Sequence, residues 1–224
     1  MQVTSFSLAK QSLCMKAKLV TPPNTQRAVE RCAVLFEVAT ELFIQHGYDQ
    51  VSLDQIVEQA GGSKATIYKY FGSKQGLFLA ICKDRSNLFV HQIELVCQKD
   101  DDNINDILIE LLLNLHNIYV DKKSMVFERL LVNIAHENHE IGLELYKQGP
   151  LRAHTLFAEY LDKMHQLGKI NCTRPMDSSI YFFGFFQDLH WRTLLNLSID
   201  HIDEAYITHY VEYFLRGHDF EFKS

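Results

Sequence analysis

The stretch from Ser52 to Leu77 limits most sharply what this chain can fold into. Two apolar-periodic segments of about eight residues lie either side of Gly61-Gly62, and a third begins after Gly72. Glycine pairs are turn formers, and segments this short cannot hold helical structure alone. They need a neighbouring helix to cover their apolar sides. Thr25–His46 supplies one, with Val29, Ala33, Phe36, Ala39, Leu42 and Phe43 at helical spacing and Gly47 as its stop. Ser52 followed by Gln55 has the pattern of a capping box opening a helix over Leu53–Ala60. A third helix runs from Ser63 or Lys64 to Phe71, and Ser73 caps a fourth that reaches about Cys97.

Two short helices joined by a glycine turn, after a longer helix, form a helix-turn-helix unit. Ile67 and Phe71, four apart, anchor the third helix to Ile56, Val57 and Phe43. That leaves Lys64, Thr66, Tyr68, Lys69 and Tyr70 for other faces. Lysine ammonium groups and tyrosine hydroxyls suit phosphate, and threonine suits base edges. Ser73 and Lys74 open the next helix at its positive dipole end.

The segment Ala60-Gly-Gly-Ser-Lys-Ala-Thr-Ile-Tyr-Lys-Tyr-Phe-Gly-Ser-Lys-Gln-Gly-Leu77, with Phe43, Gly47, Tyr48 and Ser52 before it, closely resembles the DNA-binding domain of TetR-family transcriptional regulators. The resemblance covers residues 27–82, about a quarter of the chain. It implies that Ser52 binds phosphate. It implies that Lys64, Ala65 and Thr66 approach base edges, and that Tyr68, Lys69, Tyr70 and Lys74 mainly hold the backbone. Two residues depart from the pattern. Gly62 stands where a branched apolar residue is usual, so the turn is expected to have one packing contact fewer. Val57 replaces a frequent alanine.

The remaining chain reads as helical, with segments near 104–121, 124–138, 140–148, 150–167, 177–197 and 202–216, and Pro150 in a first turn. Asp100-Asp101-Asp102-Asn103 reads as a solvated, helix-capping loop rather than a calcium loop. The expected organisation is all-α. Residues 1–24 form a flexible basic extension, 25–72 the DNA-binding head, and 73–224 a larger effector-binding and dimerisation domain. Translation could also begin at Met15.

In such regulators the carboxy-terminal region binds a small molecule and forms the dimer. The segment from Tyr181 to Leu195 is apolar nearly all round, and it resembles, with 205–215, the pair of helices that meets its copy in a four-helix interface. Phe182, Phe186, Leu189, Tyr206, Tyr210 and Phe214 are the expected interface residues. A fainter likeness is to the carboxy-terminal domains of multidrug-efflux regulators. His116, Tyr119, Arg129, His154, Tyr160, Gln187 and His190 are isolated polar groups in apolar helices. Such groups are mostly satisfied core residues, and a subset is expected to line an effector pocket.

Charge is uneven along the chain. The net formal charge is −6, yet residues 63–85 hold five bases against Asp84 alone, while 86–224 carry −9. A local basic face can bind a polyanion on an acidic protein. The acidic remainder favours an apolar effector that is neutral or cationic. Five cysteines, without a C-x-x-C pair, fit a reducing cytoplasm and no disulfide framework. Cys97 and Cys172 have no evident activating base for oxidant sensing. No apolar run reaches a membrane span. No cofactor and no metal are expected, since His136, His139 and Glu140 read better as a polar helix end than as ligands. The expected function is a ligand-responsive repressor that binds a palindromic operator as a homodimer. Its rivals are a helical metal-dependent enzyme and an interaction protein that has lost specific DNA binding.

Overall fold

The computed structural model describes residues 20–23, 25–99, 103–198 and 202–222. The basic extension up to residue 19 and the aspartates of the 100–102 loop lie outside them. Every regular element among the described residues is helical. The order is α1 (Gln26–His46), α2 (Leu53–Ala60), α3 (Lys64–Phe71), α4 (Lys74–Cys97), α5 (Ile104–Tyr119), α6 (Lys122–Glu137), α7 (His139–Tyr146), α8 (Arg152–Gln166), α9 (Pro175–Phe183), α10 (Gln187–Leu194) and α11 (Glu204–Arg216). Two compact units divide the chain. Among the described residues, the first holds those up to Ser86 with Leu130–Leu145, and the second holds those of Asn87–Arg129 and those from Tyr146 onward.

The first unit is built on the apolar stripe of α1. Cys32, Leu35, Ala39, Leu42 and Phe43 are all buried, as are Ile56 of α2, Ile67 and Phe71 of α3, and Leu77, Phe78 and Ile81 of α4. Phe43, Tyr48 and Phe78 form an aromatic knot with ring centres 5.0–5.5 Å apart. Burying each such side chain contributes about 1.5–3 kcal/mol, which is what holds two eight-residue helices in place.

The second unit has α5 at its heart. Ile104, Ile107, Leu108, Leu111, Leu112 and Leu115 recur at three and four and are all buried. They belong to one core with Phe157, Phe182, Phe186, Leu189, Val211 and Leu215. Asn103 caps α5, its side chain accepting from the Asp106 amide.

Two helix boundaries differ from the sequence expectation. The helix expected over 177–197 breaks into α9, a 3₁₀ turn at Gly184–Phe186, and α10, which ends at Leu194. Glycine is a weak helix former, and the Tyr210 hydroxyl donates to the Tyr181 carbonyl at 2.7 Å and the Phe182 carbonyl at 3.2 Å. Those two carbonyls would otherwise accept from residues 185 and 186. The helices expected over 140–148 and 150–167 are not separated by a loop either. A π-helical turn, Lys147–Leu151, joins α7 to α8 and contains Pro150. Proline lacks the amide proton an α-turn requires, and the wider turn accommodates it.

Candidate nucleic-acid interface

The capping box on α2 forms as its sequence predicts. The Ser52 hydroxyl accepts from the Gln55 amide at 3.2 Å, and the Gln55 side chain accepts from the Ser52 amide at 2.7 Å. This fixes the start of α2, with Ser52 exposed.

On α3 the burial pattern sorts the expected contact residues. Ile67, Tyr70 and Phe71 face the core. Lys64, Ala65, Tyr68 and Lys69 are exposed, and Thr66 lies at the edge of that face with its hydroxyl 3.2 Å from that of Ser63. Positions 64 and 68, like 65 and 69, are four apart and therefore share one side of the helix. Tyr68 is 53% exposed, whereas Tyr70 is only 6% exposed. Tyr70 is thus corrected from an expected backbone contact to a core residue, and Lys69 lies over its ring at 5.2 Å. The period of the helix decides this: Tyr70 falls on the Ile67–Phe71 side.

Two of the lysines have local partners. The Lys64 ammonium stands 2.8 Å from an Asp54 carboxylate oxygen on α2, a bond that raises the lysine pKa. The Lys74 ammonium sits 4.3 Å from the centre of the Tyr48 ring. Partial burial there lowers its pKa, opposed by the charge of Asp49. The turn from α3 into α4 is tight. A Cβ on Gly76 would fall 1.8 Å from the Phe71 carbonyl oxygen, so only glycine lets α4 pass so near the end of α3.

In the second unit, three of the seven expected pocket residues converge. The Tyr119 hydroxyl donates to Glu128 and lies 2.8 Å from His190 Nδ1, which also contacts Glu128. Burial, then the bond to Glu128, pushes the Tyr119 hydroxyl pKa well up. Arg129 donates to the Thr193 carbonyl at 2.9 Å, and Thr193 is itself fully buried beside Tyr119. The Tyr119 ring also packs on Phe186, at 5.5 Å. His116 packs against Phe185, at 6.5 Å, and its buried Nε2 has no hydrogen-bond partner among the described residues.

The others do not join this group. His154 sits with Ser179 and Phe183, Tyr160 stacks on Phe157 within the core, and Gln187 is exposed. Glu128 and Thr193 were missed. Glu128 was hidden beside Arg129, and a threonine in an apolar helix gives no sequence signal.

The expected interface residues also divide. Phe182, Phe186 and Leu189 are at most 3% exposed in the single chain and belong to its core, so they offer no surface to a second copy. Tyr210 and Phe214 are half-buried, and only Tyr206 is open. The large apolar side chains left exposed on the same helices are Met176, Ile180, Tyr181, Trp191, Tyr206 and Tyr213. A helix that is apolar all round does not announce which side its own subunit covers.

His136, His139 and Glu140 are exposed, and the described residues contain no group of three or more His, Cys, Asp or Glu arranged to hold a metal. Cys97 has its thiol pKa pushed up to about 11, by burial first and then by Glu159 and Glu94, the opposite of thiolate activation. Among the described residues no helix is long and apolar enough to cross a membrane.

Comparison with known proteins agrees with this architecture. Residues 35–81 match the model of bacterial regulatory proteins of the tetR family, and residues 106–217 match the AefR-like transcriptional repressor carboxy-terminal domain. The activator FasR of Mycolicibacterium smegmatis is 32% identical over 74 residues, 33% of this chain and 34% of FasR. The repressor ComR of Escherichia coli is 36% identical over 75 residues, 33% of this chain and 35% of ComR. This chain therefore spans only about a third of the length of these curated relatives. A solved structure from Mesorhizobium loti, described as a TetR-family transcriptional regulator, superposes with a TM-score of 0.71 at 21% identity, covering 86% of this chain and 96% of that one. These families and relatives are transcriptional regulators, not enzymes. With its two halves matched in order by an amino-terminal and a carboxy-terminal regulator domain, the chain belongs to the TetR family.

Proposed function

We propose that this protein is a ligand-responsive repressor that binds a palindromic operator as a homodimer in the cytoplasm. The observation that carries this reading is the open face of α3. Lys64, Ala65, Tyr68 and Lys69, with Thr66 at the edge, project from a short helix whose opposite side is locked into a rigid core. A helix so held can enter a major groove without losing its shape. The head is taken as 25–72, with Ser52 on phosphate and Lys74, the first residue of α4, adding a second phosphate contact beside it, and the effector and dimer functions as belonging to 73–224.

Dimerisation is assigned to the apolar surface of α9–α11, through Tyr181, Trp191, Tyr206 and Tyr213. Effector binding is assigned to the group around Tyr119, Glu128 and His190, with Phe186 as an apolar wall. Glu128 favours a neutral or cationic ligand over an anionic one. The ligand acts through a difference in affinity for two arrangements of the dimer, transmitted along α4, whose residues up to Ser86 belong to one unit and from Asn87 to the other.

The test is selection from a random duplex pool followed by sequencing of the bound fragments. An inverted repeat with half-sites about 34–36 Å apart is expected. Flat, salt-labile binding to every duplex would sink the reading. A thermal-shift screen of hydrophobic compounds, followed by operator titration, tests the effector: hits confined to polycarboxylates or phosphorylated compounds overturn the charge argument.

A further inference from the structure

Gly62 is the position at which this chain departs from the branched apolar residue usual in the turn, and the structure shows what stands there instead. A Cβ at Gly62 would lie 2.7 Å from Arg31 Nη1 and 3.7 Å from both Cδ and Cζ of the same side chain. One at Gly61 would lie 3.9 Å from that Nη1. The Arg31 side chain therefore reaches from α1 across the glycine pair and lays its guanidinium over the turn. The Gly62 backbone has φ +111°, a conformation that side-chain-bearing residues rarely adopt. The backbone reserves the position for glycine, and the neighbour it would otherwise meet is the mobile end of Arg31.

Among the described residues Arg31 makes no hydrogen bond or ion pair, although it is half-buried. Its neighbour across the turn differs, because the Lys64 ammonium already holds Asp54 at 2.8 Å. Guanidinium presents five donors in a flat fork that matches two oxygens of a phosphate. The turn it covers runs directly into Ser63 and Lys64, where the open face of α3 begins.

We propose that Arg31 is a contact to the DNA phosphate backbone, a guanidinium laid over the glycine turn beside the recognition helix. This rests on the reading of α3 as the groove-reading helix. Gly62 then belongs to the contact surface: the lost apolar side chain makes room for a charged fork. The interaction adds affinity and fixes the docking register, and it carries no base preference of its own.

The experiment titrates the full-length chain with its selected operator and with an unrelated duplex over a range of salt. Arg31→Met keeps the aliphatic stem over the glycines and removes the charge. It should weaken both duplexes by the same factor, roughly tenfold, and lower the log–log salt slope by about one unit. Arg31→Lys should restore the slope but only part of the affinity. Arg31→Gln provides the same comparison if Arg31→Met melts early. An unchanged slope in folded Arg31→Met or Arg31→Gln protein overturns the inference alone, since it means a packing role. A parent chain that binds no duplex overturns the DNA-binding reading and this inference with it.

Discussion

The Lys64 ammonium and the Asp54 carboxylate, 2.8 Å apart, tie the first residue of α3 to the first turn of α2. Both side chains are largely exposed, at 46% and 73%, so the pair contributes little to folding. Its consequence lies in binding. Any anion approaching Lys64 meets Asp54 as well, and must compete for the lysine. Asp54→Asn removes that competition and a negative charge from the proposed interface. The expected result is DNA binding tightened several-fold at low salt, with the gain fading as salt rises, and an almost unchanged melting temperature. Weaker binding in anisotropy titrations would mean that Asp54 serves to orient Lys64 toward its target.

Thr66→Ala addresses base readout. Thr66 sits at the edge of the open face, hydrogen-bonding distance from Ser63, so the change leaves the core alone. Loss of a base contact should weaken the selected operator by about 1–3 kcal/mol and relax preference at one position of each half-site. Lys74→Ala should instead weaken every duplex alike. Competition titrations with point-substituted operators separate the two, and an unaltered preference profile in Thr66→Ala would remove Thr66 from the readout.

Much of the head was legible because its signals are local. The Ser52–Gln55 capping box, the Gly61-Gly62 turn and the Ile67–Phe71 spacing each specify structure over a few residues, and α2 and α3 run over the expected residues. Tyr70 differs from the expectation because two residues turn a helix by about 200°, which sets Tyr70, closed, on the side opposite Tyr68, open. The carboxy-terminal helices hide more. Phe186 and Trp191 look equivalent in an apolar run, but which of them faces inward depends on α5, α8 and α11, far off in sequence. The break at Gly184 depends on a hydroxyl from Tyr210. The partnership of Tyr119, Glu128 and His190 spans 71 positions and has no spacing rule.

That distinction changes how dimerisation should be tested. Phe186 is 3% exposed and packed on Phe89 and Tyr119, so Phe186→Glu should unfold the second unit or leave insoluble protein. Trp191 and Tyr213 are 59% and 68% exposed. Trp191→Glu and Tyr213→Glu should therefore give folded, soluble chains of normal helicity. Each should sediment as a monomer and lose operator affinity. Dimers of unchanged affinity for both variants would exclude this surface.

Asp84 yields a prediction in pH. It is 7% exposed on α4, and burial raises its pKa to about 6 despite the opposing charge of Arg85. The folded-state pKa lies above the unfolded one. The folded chain therefore keeps this proton while the unfolded chain has already released it, and stability falls as pH rises from about 4 to about 6. Above that window both states are ionised and the folded state carries the cost of a buried charge. Asp84→Asn removes the charge in nearly the same shape. It should stabilise the protein by about 1–2 kcal/mol at pH 7. At pH 4 the difference should shrink toward zero. Denaturant titrations of both proteins across this range are the measurement. A variant less stable than the parent at pH 7 would show that the Asp84 carboxylate is needed in its charged form, with Arg85 as the group to examine next.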